Sequence, residues 1–174
     1  AQDLSSTSVG SRAPSRRVAA AVTGPGAILF RHNNPCGAAD PETLRSAYLK
    51  AYSTDPVSAF GSVLAFNRVV DAGTAAEVAK LFVECIAAPG FDEEAKKTFA
   101  AKKNLRLLEL PGNGLEPDRE LQLKRILGGV LVQQPDLGEL SDGELRTVTK
   151  RVPTPAEMAT MRLGGNVCKD MKSN

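Results

Sequence analysis

Short apolar runs alternate with capped helical segments through most of this 174-residue chain, and that alternation constrains the fold more than any other feature. Residues 27–32 read as a strand, and the run Asn33-Asn34-Pro35-Cys36-Gly37 as a turn, because it is dense in turn formers. Asp40-Pro41-Glu42 places a capping residue and a first-turn proline before a helix expected over 43–52. A second turn-rich loop, Asp55 to Gly61, precedes a strand at 63–66 and a helix at 74–82. A third strand at 85–88 closes on Pro89-Gly90, a helix follows at 92–101, and a fourth strand is expected at 105–110. Strands in alternation with helices predict a layered α/β fold.

Beyond residue 110 the pattern thins. Residues 111–118 are the expected linker or surface excursion, 128–133 a glycine-led fifth strand, and 142–148 a short helix. Thr154-Pro155-Ala156-Glu157 opens a last helix with a threonine cap, a proline at its first position and an early acid. Gly164-Gly165 falls in the middle of that helix, at a cost of about 1 kcal/mol per glycine against alanine. Residues 1–25 are rich in Ser, Gly, Ala and Arg and are expected to be poorly ordered.

Composition narrows the function classes. Hydrophobic residues are 42% and charged residues 24%, the profile of a soluble globular domain. Tryptophan is absent and aromatics are only 5%, which predicts an aliphatic, alanine-rich core. The net charge of +2 is confined to residues 1–25, where Arg12, Arg16 and Arg17 face only Asp3; the rest balances. A balanced body argues against nucleic-acid binding, which needs a basic face. No apolar run reaches the roughly 18 residues of a membrane span, so no membrane association is expected. Cys36, Cys85 and Cys168 are odd in number and far apart, which fits a reducing cytoplasm better than a disulfide framework. One histidine and no Cys-x-x-Cys pair leave too few ligands for zinc, and no metal is expected.

His32, the only histidine, stands where the first strand meets its turn. A side chain there is fixed from behind and open in front, and imidazole exchanges protons near neutral pH. Arg31 beside it is a permanent cation. Cys36, close by, reads as a small buried filler rather than a nucleophile.

The run Arg31-His32-Asn33-Asn34-Pro35-Cys36-Gly37 is similar to the Lys-His-x-Asn-Pro-Cys-Gly motif of the AICAR transformylase domain, part of the bifunctional transformylase/IMP cyclohydrolase family. Further segments resemble that family in the same order: Asp55-Pro56-Val57-Ser58-Ala59-Phe60-Gly61, Ala65-Phe66-Asn67-Arg68, Ala87-Ala88-Pro89-Gly90-Phe91 and Lys102-Lys103-Asn104. Gly128 to Gln133, Val148-Thr149-Lys150-Arg151 and Lys172-Ser173-Asn174 complete the series. The resemblance implies a three-layer α/β/α sheet of cytidine deaminase type without the deaminase metal, used twice per transformylase domain. Residues 26–174 would correspond to the first of the two units.

It also implies formyl transfer from 10-formyltetrahydrofolate, as co-substrate, to the 5-amino group of AICAR in de novo purine synthesis. His32 would be the base and Arg31 the positive charge; Gly90, Asn34 and Asn174 would bind substrate. The implied partner is a second copy of the chain, in a homodimer, or a second-unit polypeptide, in the cytoplasm. On local sequence alone, Gly90 is an ordinary Pro-Gly turn residue, and Lys102-Lys103 a solvated helix end.

Several departures accompany the resemblance. Arg31 stands where the family has lysine, and arginine keeps the charge but cannot give up a proton. Leu4 to Ser11 lacks the aromatic, amides and acid of the corresponding family segment, and a substrate-gripping Arg-Tyr-Gly-Glu-Asn-Pro-His-Gln stretch has no counterpart. The second unit would lie outside these residues. Leu163-Gly164-Gly165-Asn166 replaces an aromatic-bearing stretch, and Glu109 is displaced from the place of a substrate-contacting acid. Half of a composite site is expected to be inactive alone. The alternative is a non-catalytic paralogue or assembly subunit that retains the fold, and a third reading is a piece of a longer gene product.

Overall fold

The computed structural model describes residues 24–32, 34–110, 121–136, 138 and 142–171. The expected disorder of the first residues, the linker at 111–118, Asn33 and Asn174 all fall outside that set, save for Gly24 and Pro25.

Five strands form one sheet in the order β2-β1-β3-β4-β5. They are β1 (Ala27–Arg31), β2 (Asn34–Ala39), β3 (Ser62–Phe66), β4 (Val83–Ala88) and β5 (Arg106–Glu109). β1 runs antiparallel to both β2 and β3, whereas β3, β4 and β5 are mutually parallel. Helices α1 (Leu44–Thr54), α2 (Ala72–Val78) and α3 (Glu93–Ala100) make the connections. Side chains alternate across the pleat. Ala27, Leu29, Leu64, Phe66, Ile86 and Ala88 point to one face and pack on Ala47 and Ala51 of α1, Val78 of α2 and Phe99 of α3. Ile28, Phe30, Val63, Ala65 and Cys85 point to the other, where Leu163 and Val167 of α4 (Pro155–Asp170) cover them. The result is the expected three-layer α/β/α sandwich, with the aliphatic, alanine-rich core that the composition predicts.

The helix starts are set by side-chain caps. Asp71 accepts from Thr74 N at 2.7 Å, and Asp92 from Ala95 N at 2.6 Å. The second Asp92 oxygen accepts from Ala72 N, so one carboxylate ties the starts of α2 and α3 together. For α1 the cap is Thr43, in a capping box with Ser46, and not Asp40; the Thr and Ser hydroxyls satisfy each other's backbone N–H groups. α4 begins as expected, on Thr154 with Pro155 and Glu157, and it continues through Gly164 and Gly165.

Several boundaries differ from expectation. The largest correction is Asn34–Ala39, an edge strand rather than a turn. Proline is tolerated there because an edge strand has one unpaired side. The pairing moves from Leu29↔Gly37 to Phe30↔Pro35, so Cys36 is the extra residue of a bulge. α2 ends at Val78 rather than 82, and Asp142–Glu144 is a single 3-10 turn rather than a helix to 148. β7 (Gly129–Gln133), expected at 128–133, pairs with β6 (Gln122–Ile126), which the sequence reading did not identify. This ribbon stands apart from the main sheet, with Leu123, Ile126, Leu127, Val130, Leu131 and Val132 exposed.

Candidate functional site

β1 ends at Arg31, and the chain turns at His32 with φ +55, the one non-glycine residue with positive φ among those described. Left-handed backbone is disfavoured for L residues, and Asn, Asp and His tolerate it best. His32 is exposed, and Arg31 pairs directly across the hairpin with half-buried Asn34. The fold therefore brings Arg31, His32 and Asn34 together at one end of the sheet.

The loop before β3 closes on the same place. Arg31 Nη1 donates to the Phe60 carbonyl at 2.6 Å. Gly61, at φ +70, donates its N–H to the Phe82 carbonyl at 2.9 Å. The Phe60 and Phe82 rings lie 5.2 Å apart. The Asp55 carboxylate accepts from Ser58 N at 3.0 Å, and its bonds to the Ser58 hydroxyl and backbone N–H hold its pKa below the usual carboxylate range. Phe60 and Gly61 had no role in the sequence reading, although both lie in a segment that resembles the family. The signal was the Ala-Phe-Gly ending of a turn-rich loop.

Cys36 is half-buried and its thiol donates to the Leu29 carbonyl at 3.5 Å. Burial, reinforced by the Asp55 carboxylate, pushes the thiol pKa up, against smaller lowering effects from its own backbone and Arg31. A thiol held in its protonated form is a poor nucleophile, in line with the filler role expected of it. Alkylation by iodoacetamide near pH 7.5 should therefore label exposed Cys168 at least about tenfold faster than Cys36. Equal rates would reopen a nucleophilic role for Cys36.

Gly90 lies elsewhere. It follows the carboxyl end of β4, where its carbonyl accepts from Val70 N at 3.0 Å. Because β1 is antiparallel to β3, Arg31 sits at the start of β3 and β4, and the six residues of β4 separate the two places by roughly 20 Å. A Cβ on Gly90 would meet only Val69 Cγ2 at 3.7 Å, an ordinary contact. Nothing within the described chain demands glycine there.

A cavity of about 230 Å³ lies at the Arg31 end, walled by Val78, Leu81, Phe82, Phe99 and Leu105, with Lys102, Lys103 and Asn104 also lining it. The two lysines follow the carboxyl end of α3, where cations complement the helix dipole. Among the described residues no group of three or more His, Cys, Asp or Glu side chains could hold a metal ion. No helix among them is long and apolar enough to cross a membrane.

The α/β/α sandwich has the architecture expected of one transformylase-type unit. Comparison with known sequences settles the family. The AICARFT/IMPCHase bienzyme family model matches residues 11–174. The bifunctional purine biosynthesis protein PurH of Magnetococcus marinus is 48% identical over 152 residues, which are 86% of this chain and 29% of that protein. The PurH proteins of a Thermoanaerobacter species and of Polynucleobacter asymbioticus are each 47% identical, over 150 and 148 residues. They match 86% and 84% of this chain, and 29% and 28% of their own lengths. The chain belongs to the AICARFT/IMPCHase bienzyme family and spans less than a third of the curated relatives it matches.

Proposed function

We propose that this chain supplies the first deaminase-like unit, residues 26–174, of a composite site for formyl transfer from 10-formyltetrahydrofolate to AICAR. The observation that carries the reading is the juxtaposition of His32, Arg31 and Asn34 at a hairpin whose turn residue holds a disfavoured backbone conformation. Strained backbone at an exposed side chain is a feature of functional sites.

The chemistry asks for these groups. The AICAR amine is conjugated with its ring and carboxamide and is a weak nucleophile. As its nitrogen attacks the formyl carbon, a C–N bond forms, the carbonyl oxygen gains negative charge and His32 takes the amine proton. The oxyanion then collapses, the bond from the formyl carbon to the folate nitrogen breaks, and the proton held by His32 passes, directly or through solvent, to that nitrogen as tetrahydrofolate leaves. Arg31 stabilises the oxyanion by charge alone, because guanidinium does not release a proton. Asn34, Gly90 and Asn174 are assigned to substrate binding, with Asn174 contributed across a homodimer.

The separation of Gly90 from His32 supports a site completed by further polypeptide, either a second copy or a second unit. So does the exposed apolar β6–β7 ribbon, since a lone two-stranded ribbon is marginally stable in water. The test is to assay tetrahydrofolate formation by the chain alone and after mixing with a polypeptide that carries the remaining length of a relative. The chain alone should be inactive and the mixture active. Activity of the chain alone would overturn the half-site reading, and an inactive mixture would overturn formyl transfer.

Arginine at the family's lysine position favours one alternative, a non-catalytic assembly subunit that keeps the fold. An Arg31→Lys substitution in the mixture discriminates. Activity that appears only with lysine would support the subunit reading.

A further inference from the structure

A charge at the end of a long side chain acts on a reacting group only if it is held in one place, and the rotamer entropy of an exposed arginine works against that. Arg31 is exposed, yet its guanidinium is held by the chain. Nη1 donates to the Phe60 carbonyl at 2.6 Å, a charge-assisted bond. Next to that carbonyl is Gly61, where an ideal Cβ would stand 2.9 Å from the same nitrogen. The guanidinium thus occupies the space that any other residue's side chain would need.

The seat itself is anchored. Gly61 N–H is bonded to the Phe82 carbonyl at 2.9 Å, and Ser62 N–H to that of Ala59 at 3.2 Å. Ala59 is fully buried. The Phe60 ring packs on Phe82, which immediately precedes β4. Among the described residues Arg31 makes no ion pair, so its charge is held by a neutral carbonyl and is not cancelled by a carboxylate.

We propose that the Phe60 carbonyl and Gly61 form a seat that fixes the Arg31 guanidinium at the hairpin end that carries His32, which makes Gly61 a positioning residue for formyl transfer. The inference rests on the role assigned to Arg31 above. Gly61 touches no substrate in this account. It acts through Arg31.

A double-mutant cycle between Gly61→Ala and Arg31→Ala tests the seat, in the mixture of chain and second-unit polypeptide. Gly128→Ala is the control: Gly128 also has positive φ, +83, but a Cβ there would meet nothing within 4 Å. Gly61→Ala should lower kcat about tenfold with KM nearly unchanged, and that loss should shrink to about twofold or less in the Arg31→Ala background. Gly128→Ala should change kcat by the same factor in both Arg31 backgrounds, whatever that factor is. An equal loss for Gly61→Ala in both backgrounds, or the same coupling for Gly128→Ala, would overturn the seat. If Gly61→Ala alone fails to fold, recovery of folded protein by adding Arg31→Ala supports the seat, and failure of both overturns it. If the mixture shows no formyl transfer, the functional reading fails by itself, and the same cycle read by urea midpoints decides the seat: coupled shifts support it and additive shifts overturn it.

Discussion

Replacement of His32 by asparagine is expected to slow formyl transfer by about 10²–10⁴-fold, the usual contribution of a positioned general base. Stability should change by about 1 kcal/mol or less, the worth of one ordinary surface interaction. The two effects separate because of the turn. His32 has φ +55, and asparagine accepts the left-handed region as readily as histidine does. The substitution therefore removes the imidazole and keeps the hairpin. Valine at the same position would lose both, because a β-branched residue resists positive φ. Rates of tetrahydrofolate formation by the mixture, set beside urea unfolding of the chain, read both quantities. A His32→Asn variant with an undiminished rate would remove His32 from the chemistry.

The largest structural effect is expected at Gly37. An ideal Cβ there would lie 2.0 Å from the Ala51 carbonyl oxygen, a backbone atom of α1. No side-chain rotation relieves that clash; the whole helix must move away from β2. Ala51, Ala47 and Tyr48, nearly fully buried between helix and sheet, would move with it. Overpacking commonly costs 1–3 kcal/mol, and a clash with helix backbone places Gly37→Ala at about 3 kcal/mol or more. A small domain has only about 5–15 kcal/mol of stability in total. The contrast is Gly90→Ala, whose Cβ has room beside Val69. That change should leave the urea midpoint nearly unmoved while lowering activity of the mixture if Gly90 approaches the nucleotide. A Gly37→Ala variant as stable as the parent would show that α1 does not pack on β2 this closely.

Gly37 also shows what the sequence could and could not reveal. Asn34-Pro35-Cys36-Gly37 has the composition of a turn, and local propensity assigns it so. Its strand character comes from the partner β1, whose apolar run is legible, and from an edge position that tolerates proline and a bulge at Cys36. Tertiary pairing overrode local preference there. β1, β3 and β4 were readable because buried strands are nearly continuous apolar runs. β6 was not, since Lys124 and Arg125 interrupt a ribbon that lies outside the core. Thr43, rather than Asp40, starts α1 because the cap is decided by which hydroxyl reaches the N3 amide, a geometry that composition leaves open.

The candidate site follows the same division. The position of His32 at a strand end was legible, and so was the neighbouring charge of Arg31. The left-handed turn was not, nor was the seat made by Phe60 and Gly61, because both depend on how a loop 29 residues away returns to the hairpin. The distance from Gly90 to His32 likewise follows from strand direction, which no local motif encodes.

The most direct test of the central claim is a titration of this chain into a fixed amount of second-unit polypeptide, with the initial rate of tetrahydrofolate formation as the readout. The account predicts no rate at either end alone and a saturable rise as the chain is added. A rate from the chain by itself, or a mixture that stays silent at every ratio, would contradict it.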